Sequence, residues 1–275
     1  MDCKGFVLSA GYGTRLRPIT DKIPKALVRL GSKTLLDYGV DFLKKFGIKE
    51  IGINAHYKAE LLEKEAKKRN LLCFKEEEIL GTGGYLKKLG SFFDFPLIAV
   101  NCDTLFFKDE NILGRLVSEH IKSKNIITLV LKKLDGQSFT SIKCKKGKVL
   151  SIGEGSFFFT GLQIISPEVV DFVEFSIVDV YKKLIPLKKL GCVEFKGDWF
   201  DCGTLKGFID ANFYVFGENE NVFYENASVS REITVKKSVI YPSRIDGNGS
   251  LVDCVVYENA FLTLKGEIFK GKIFV

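Results

Sequence analysis

The feature that most constrains this chain is an alternation of short apolar strands with amphipathic helices along its first half. Residues 5–9 (GFVLS) predict a buried first strand, and apolar residues at helical spacing predict a helix over 34–46. Further strands are expected at 50–54, 71–74, 97–101 and 126–131, and further helices at 59–69 and 112–121. Strands that alternate with helices need parallel crossover connections, so we expect an α/β fold with a doubly wound, mostly parallel sheet.

After about residue 140 the pattern changes to shorter strands, expected at 141–144, 149–152 and 157–165. Helices are expected to return at 167–174, 178–190 and 204–216. The polar run GENEN (217–221) then predicts a boundary. The expected division is therefore a first domain over 1–220 and a second over 221–275.

The second domain carries apolar residues six positions apart, at Ile233, Val239, Ile245 and Leu251. This period is typical of a left-handed parallel β-helix of the hexapeptide type, in which each side of a coil contributes one inward residue. The alternative is an ordinary β-rich tail with alternating apolar residues. A short β-helix stub with an exposed end favours burial against the main domain or another subunit, so a homo-oligomer through this stub is an open expectation.

Composition excludes several classes of protein. No apolar run approaches the ~20 residues of a membrane helix. The net charge is +7, but no basic block is interleaved with aromatic residues, so neither a membrane nor a nucleic acid is an expected partner. The cysteines are dispersed, no CxxC pair occurs, and the two histidines stand far apart, which argues against zinc and indicates a reducing cytoplasm.

A glycine loop follows the first strand directly, in the run SAGYGTRLRPIT (9–20). Glycines let the backbone approach a phosphate closely, and Arg15 and Lys25 add cationic groups beside the turn. A dinucleotide fingerprint would need a third glycine where Leu16 stands, and the G-x-x-x-x-G-K-[ST] string of a P-loop does not occur. The residues alone therefore indicate a phosphate-binding turn of neither common type.

The longer pattern resembles the sugar-1-phosphate nucleotidylyltransferase family. The similarity begins with SAGYGTRLRPIT and PKAL (24–27) and covers most of residues 4–216. It continues with the strings EILGTGG (78–84), VNCD (100–103), TGLQI (160–164) and WFDCGT (199–204). The resemblance implies a Rossmann-like nucleotidyltransferase domain, and the C-terminal hexads fit it because many members append a left-handed β-helix.

The resemblance also implies a reaction and a set of residues. The substrates would be a nucleoside triphosphate and a sugar 1-phosphate, and the products a nucleotide sugar and pyrophosphate. Mg²⁺ would be held by Asp103 and Asp201, which with Arg15 and Lys25 form the expected catalytic set. Taken alone, Asp103 would more commonly cap a helix or turn, and Asp201 would more commonly be a turn residue. The expected nucleotide contacts are Leu8, Ala10, Gly11, Gly13, Thr14, Arg15, Lys25, Gly81, Thr82 and Asp103.

For the sugar, the resemblance implies contacts from Glu154, Thr160 and Gly161, the last leaving room for the ring. A simple strand irregularity at Gly161 and a surface turn at Glu154 are the alternatives. Many relatives carry Glu-Lys-Pro where this chain has EGS (154–156), and that lysine touches the sugar phosphate in those relatives. Its absence leaves open what neutralises the sugar phosphate here.

The strings NAHY (54–57) and LGTGG (80–84) are most similar to the mannose-1-phosphate guanylyltransferase-like branch, which implies GTP as donor. Two alternatives stay open within the family: uridylyl transfer to a sugar such as N-acetylmuramate 1-phosphate, and thymidylyl transfer to glucose 1-phosphate. A non-catalytic regulatory homologue is a further alternative. A remote one is an acyltransferase, for which the stub is small.

Overall fold

The computed structural model describes residues 2–275. Its α-helices are α1 Ile19–Lys22, α2 Leu35–Lys45, α3 Ala59–Lys68, α4 Gly81–Gly84, α5 Ile112–Lys122, α6 Ile177–Leu184 and α7 Leu205–Phe216. Its strands are β1 Lys4–Leu8, β2 Arg29–Leu30, β3 Lys33–Thr34, β4 Ile51–Ala55, β5 Leu72–Lys75, β6 Leu97–Asn101, β7 Thr104–Phe107, β8 Ile127–Lys133, β9 Ile142–Lys145, β10 Lys148–Ile152, β11 Phe157–Ile165, β12 Leu190–Glu194, β13 Asp198–Asp201, β14 Val222–Phe223, β15 Ser228–Val229, β16 Ile233–Lys236, β17 Val239–Ile240, β18 Arg244–Val252, β19 Val255–Val256, β20 Phe261–Lys270 and β21 Ile273–Phe274. Short 3-10 helices occur at Thr14–Leu16, Lys25–Leu27, Tyr85–Lys88, Gly90–Phe93 and Pro167–Phe172.

The chain forms two compact units, and each is built from two stretches of sequence. Unit 1 consists of residues up to Gly11 together with Asp37–Trp199. Unit 2 consists of Tyr12–Leu36 together with Phe200–Val275. The glycine loop therefore changes unit between Gly11 and Tyr12, while the division at residue 220 stays a prediction about domains.

Unit 1 is organised by a nine-stranded sheet in the order β5-β4-β1-β6-β11-β8-β12-β10-β9. Strands β5, β4, β1 and β6 run parallel, and β12 runs parallel to β8. Strand β11 lies antiparallel between β6 and β8, and β10 is antiparallel to both its neighbours. The expected α/β architecture with a large sheet is confirmed, and the sheet is mixed rather than uniformly parallel.

The central strands of this sheet are apolar because both of their faces are covered. All five residues of β4 are buried, as are the first four of β6 and the first five of β8. A cluster that includes Phe6, Tyr85, Leu129 and Leu190 packs as one core. Burial on both faces explains why these strands are continuous apolar runs in the sequence.

Two expected helices differ from the structure. The one expected over 178–190 ends at Leu184, and Leu190 begins strand β12. Leu190 pairs with Ile127 in the parallel ladder with β8, so tertiary pairing decides the conformation of this apolar stretch. The helix expected over 167–174 is a 3-10 helix, Pro167–Phe172. Helical spacing alone does not distinguish these outcomes.

The C-terminal part of unit 2 winds as stacked parallel strands. Strands β14, β17, β19 and β21 form one stack, in which Val222 pairs with Val239, Val239 with Val255, and Val255 with Ile273. Strands β15 and β16 both pair with β18, which pairs with β20. Parallel coils are therefore present, whereas their left-handed sense stays a prediction.

The four hexad residues of this coil point inward as expected. Val239, Ile245 and Leu251 have no solvent exposure, and Ile233 is also buried. Ile233, Ile245 and Leu251 belong to one apolar cluster that runs through the coil. Among the helices within residues 2–275, none has the length and apolar character needed to cross a membrane.

Candidate functional site

In unit 1, the end of the first strand and the strand that precedes Asp103 lie side by side. Leu8 pairs with Asn101 in the parallel ladder of β1 and β6, and the Cys102 amide donates to the Leu8 carbonyl at 3.2 Å. The carboxyl ends of parallel strands meet at one edge of the sheet, which is where α/β folds bind ligands. The predicted residues Leu8, Ala10, Gly11 and Asp103 are therefore brought to the same edge.

Asp103 is buried, with 6% of its surface exposed, in the turn between β6 and β7. The Thr104 hydroxyl donates to the Asn101 carbonyl at 3.0 Å and closes this turn. The turn therefore holds Asp103 in a defined position. It also supports the alternative that an aspartate here serves the turn.

A buried polar network joins the first strand to the segment that precedes the second glycine loop. The Asn54 amide oxygen accepts from the Ser9 main-chain N–H at 2.7 Å, and the Asn54 Nδ2 donates to Glu76 Oε1 at 2.7 Å. The other carboxylate oxygen of Glu76 accepts from the Leu80 N–H at 3.0 Å. Ser9, Asn54 and Glu76 are all buried.

This Ser9–Asn54–Glu76–Leu80 network fixes two predicted nucleotide-binding segments relative to each other within unit 1. Sequence reasoning missed Asn54 and Glu76 as site-supporting residues. Asn54 is a polar residue in a strand whose other members are apolar, and that contrast is the signal that could have found it. Glu76 offers no such signal because it stands in a run of three glutamates.

The second glycine loop packs tightly against the start of α6. The Gly83 N–H donates to the Phe175 carbonyl at 3.0 Å, and the Thr82 hydroxyl accepts from the Ile177 N–H at 3.1 Å. A β-carbon on Gly81 would lie 2.3 Å from the Phe175 carbonyl oxygen, and Gly81 has a φ of +71°. Glycine is thus required here by packing. The roles of Gly81 and Thr82 in nucleotide binding stay predictions.

In unit 2, the glycine loop and the turn that carries Lys25 are packed together. The Thr20 hydroxyl donates to the Gly13 carbonyl at 2.9 Å. A β-carbon on Gly13 would lie 2.9 Å from the β-carbon of Lys25, so the two backbones approach closely. Thr14 and Arg15 occupy the short 3-10 helix that follows Gly13.

Arg15 and Asp201 meet in unit 2 although they are 186 positions apart in the chain. The Arg15 Nη1 lies 3.4 Å from Asp201 Oδ2, and the Asp201 side chain is only 15% exposed. The other carboxylate oxygen accepts from the Gly203 N–H at 2.9 Å, which sets the orientation of the carboxylate. Two members of the predicted catalytic set are therefore brought together, with a cation beside a fixed carboxylate.

Asp103 and Asp201 are the two carboxylates predicted to hold a divalent metal. Within residues 2–275, no group of three or more His, Cys, Asp or Glu side chains converges to hold a metal ion. Magnesium is commonly bound by one or two carboxylates, with water and substrate phosphates as the remaining ligands. Asp103 belongs to unit 1 and Asp201 to unit 2. Hard carboxylate oxygens of this kind fit magnesium.

The predicted sugar residues lie on and beside strand β11. The Thr160 hydroxyl donates to the Val130 carbonyl at 2.8 Å, and its own carbonyl accepts from the Trp199 indole N–H at 2.9 Å. Gly161 has a φ of +88° and sits where the register between β11 and β8 shifts, so the strand is irregular here. A β-carbon on Gly161 would lie 2.8 Å from the Asn101 amide nitrogen. Sugar binding by Thr160 and Gly161 stays a prediction.

The EGS segment leaves no room for a side chain at position 155. A β-carbon on Gly155 would lie 2.2 Å from the Ile142 carbonyl oxygen, so the backbone leaves no room for a larger residue. The exposed Glu154 accepts from the Ser151 hydroxyl at 2.9 Å and lies 3.7 Å from the Lys143 ammonium. Lys143 of β9 is therefore a cation beside Glu154.

The family model described as Nucleotidyl transferase matches residues 4–216, and this chain belongs to that family. Its curated relatives include mannose-1-phosphate guanyltransferases. The protein of that name from Debaryomyces hansenii is 29% identical over 229 residues, covering 75% of this chain and 62% of the relative. The one from Saccharomyces cerevisiae is 26% identical over 273 residues, covering 91% and 71%.

This chain thus spans about three fifths of the length of the first of these relatives. Among solved structures, UDP-glucose pyrophosphorylase complexed with UDP-glucose is similar with a TM-score of 0.69 and 21% identity, covering 79% of this chain and 99% of that one. UDP-glucose pyrophosphorylase from Acinetobacter baumanii gives a TM-score of 0.68 with 17% identity, covering 78% and 93%. These structures establish the fold.

Proposed function

We propose that this protein transfers a nucleotidyl group from a nucleoside triphosphate to a sugar 1-phosphate in a magnesium-dependent reaction. Membership of the nucleotidyl transferase family supports the reaction class. The observation that carries the proposal is the pairing of Arg15 with Asp201 at 3.4 Å, since the glycine-loop cation and a fixed carboxylate converge from distant parts of the chain.

In the proposed step, an oxygen of the sugar 1-phosphate attacks the α-phosphorus of the triphosphate. A new phosphorus–oxygen bond forms as the bond between the α-phosphorus and the bridging oxygen breaks, and pyrophosphate leaves with that electron pair. The phosphate oxygen is already nucleophilic, so no protein nucleophile or general base is needed. Catalysis then depends on positioning and on neutralising charge, as in other phosphoryl transfers.

The predicted residues have distinct proposed roles in this step. Arg15 neutralises charge on the departing pyrophosphate, and Lys25 contacts phosphate oxygens during transfer. Asp103 and Asp201 hold Mg²⁺, which when bound neutralises phosphate charge. Main-chain groups of Leu8, Ala10, Gly11, Gly13, Thr14, Gly81 and Thr82 hold the nucleotide, and Glu154, Thr160 and Gly161 line the sugar pocket.

For the substrates, we propose GTP and mannose 1-phosphate. The mannose-1-phosphate guanyltransferases from two yeasts align with most of this chain and support this choice. Uridylyl or thymidylyl transfer to another sugar 1-phosphate is the second candidate, which the fold similarity to UDP-glucose pyrophosphorylase favours. The local difference at Gly155 adjoins Glu154, a proposed sugar contact, so it concerns the proposed sugar site.

The decisive experiment measures pyrophosphate release with each nucleoside triphosphate against a panel of sugar 1-phosphates, with Mg²⁺ and with EDTA. We expect turnover that needs Mg²⁺ and is fastest with GTP and mannose 1-phosphate. A faster rate with UTP or dTTP would overturn the substrate assignment and leave the reaction class standing. Nucleotide binding without turnover for any pair would overturn the enzyme proposal in favour of a regulatory homologue.

We also propose a cytoplasmic location and self-association through the C-terminal coil. Within residues 2–275 no cysteine forms a disulfide, which suits a reducing compartment. Strand β20 carries Phe261 and Ile268, both largely exposed, on the coil. Sedimentation of the full chain tests the self-association, because a monomer at micromolar concentration would exclude a stable oligomer.

A further inference from the structure

The parallel coil of unit 2 carries one tyrosine immediately after each of three stacked strands. Tyr224 follows β14, Tyr241 follows β17 and Tyr257 follows β19. The parallel register places these residues above one another. The Tyr224 and Tyr241 rings lie 4.0 Å apart between centroids, and the Tyr241 and Tyr257 rings lie 4.6 Å apart. We call these three residues the tyrosine stack.

The hydroxyl groups of the tyrosine stack bind the backbone of the early segment that contains strand β2. The Tyr257 hydroxyl accepts from the Arg29 N–H at 2.8 Å, and the Tyr241 hydroxyl donates to the Arg29 carbonyl at 2.6 Å. The Tyr224 hydroxyl accepts from the Gly31 N–H at 2.6 Å. Three successive turns of the coil therefore hold three main-chain groups of residues 29–31.

The stack is also anchored to helix α7. The Tyr224 hydroxyl donates to the Asn212 amide oxygen at 2.7 Å, and the Asn212 Nδ2 donates to the Phe208 carbonyl at 2.8 Å. Burial raises the pKa of Tyr241 well above its usual value, so its hydroxyl keeps the proton that it donates to Arg29. The coil, the helix and residues 29–31 thus form one hydrogen-bonded assembly.

Residues 29–31 in turn follow the short helix that carries Lys25. The Val28 N–H donates to the Lys25 carbonyl at 3.0 Å, and the Leu27 N–H donates to the Pro24 carbonyl at 2.9 Å. Lys25 packs against Gly13, since a β-carbon on Gly13 would lie 2.9 Å from the β-carbon of Lys25. Holding Arg29 therefore fixes the backbone that presents Lys25 to the glycine loop.

Ring packing alone does not account for this arrangement. Phenylalanine rings would stack in the same places, but they would leave the main-chain groups of Arg29 and Gly31 without these partners. The bond to the Gly31 N–H is buried and the two bonds to Arg29 are partly buried. A main-chain group shielded from water that loses its partner is costly, so each hydroxyl has a specific use.

We propose that the tyrosine stack is a positioning device for Lys25 in nucleotidyl transfer, which makes the C-terminal coil part of the catalytic apparatus. This inference rests on the proposed function. The tyrosines are positioning residues, since they act on phosphate only through the segment that carries Lys25. Loss of their hydroxyls is therefore expected to reduce kcat more than it raises KM.

The test uses the full chain with the double substitution Tyr241→Phe and Tyr257→Phe. We expect kcat to fall about tenfold, with less than about a threefold change in the KM of the nucleoside triphosphate. In a Lys25→Ala background, the same double substitution should lower kcat no further, because the two changes act on one element. The matched control is Ile245→Val, which loosens the buried core of the coil and keeps every hydroxyl.

A second measurement needs no activity. Hydrogen exchange of the amides in residues 25–31, followed by mass spectrometry, should be about tenfold faster in the double variant than in the Ile245→Val control. If the wild-type protein turns over and the double variant keeps its kcat, the inference is overturned. If the wild type is inactive, the proposed function fails. In that case unchanged exchange in 25–31 overturns the positioning role as well, and faster exchange supports it.

Discussion

Replacing Glu76 with alanine should destabilise unit 1 far more than any exposed glutamate nearby. The Glu76 carboxylate is buried and accepts hydrogen bonds from Asn54 at 2.7 Å and from the Leu80 N–H at 3.0 Å. Hydrogen bonds to charged groups contribute roughly 1.5–3 kcal/mol each. Two such hydrogen bonds contribute about 3–6 kcal/mol. The alanine variant no longer has to bury a carboxylate, which offsets part of this loss, so we expect the free energy of unfolding to fall by about 3 kcal/mol.

The conservative substitution Glu76→Gln separates hydrogen bonding from side-chain size. Its amide oxygen can accept from one of the two donors, while its NH₂ group would face the other donor. We therefore expect a loss of about 2 kcal/mol, between wild type and Glu76→Ala. The matched control is Glu77→Ala, because Glu77 is the exposed neighbour of Glu76 and should change stability by less than about 0.5 kcal/mol.

Urea unfolding followed by the fluorescence of Trp199 measures these differences. Trp199 is the single tryptophan of the chain and belongs to the same unit as Glu76. An unchanged slope of unfolding free energy against urea concentration would confirm that the variants expose the same surface on unfolding as the wild type. Equal midpoints for Glu76→Ala and Glu77→Ala would refute the reasoning, because the network would then contribute nothing to stability. Glu76→Ala should also raise the Kd for the nucleoside triphosphate about tenfold, since it releases Leu80 beside Gly81.

Three further predictions follow from the site and the core. Asp201→Asn should lower Mg²⁺-dependent turnover by at least about a hundredfold, whereas the control Asp210→Asn should not. Pyrophosphate release measures both variants, and near-equal rates for the two would contradict the metal assignment. Gly81→Ala should lower the melting temperature of unit 1, since its β-carbon would lie 2.3 Å from the Phe175 carbonyl oxygen; an unchanged melting curve would show that this segment shifts freely. Burial lowers the pKa of His120 to about 4 from 6.5, so the contribution of the neutral imidazole to the free energy of unfolding should be fully present above pH 6.5. That contribution should fall by about 3 kcal/mol as the pH drops to 4. A His120→Gln variant with the same pH dependence in urea titrations would contradict this.

Sequence reasoning located the elements that carry their own pattern. The strands expected at 97–101 and 157–165 match β6 and β11 without a shift, because apolar residues predominate in both segments. The hexad period correctly identified Ile245 and Leu251 as inward residues of a parallel coil. In these cases the spacing of apolar residues in the sequence follows directly from which residues are buried.

The contacts that hold the site are not local, and the sequence does not reveal them. Glu76 differs from Glu77 only in its surroundings, which the pairing of distant strands creates. Tyr241 and Tyr257 become recognisable as a pair only when the coil stacks them against Arg29, more than half the chain away. Spacing in the sequence gives no information about such partners.

The construction of unit 2 from two distant stretches has a consequence for biosynthesis. Tyr12–Leu36 is translated well before Phe200–Val275, the stretch that completes its unit. At roughly 5–20 residues per second, the early stretch waits about ten seconds or longer on the ribosome before Tyr241 and Tyr257 can bind it. Arg15 and Lys25 therefore reach their folded environment only after translation of the C-terminal coil, which couples the maturation of the glycine loop to synthesis of that coil.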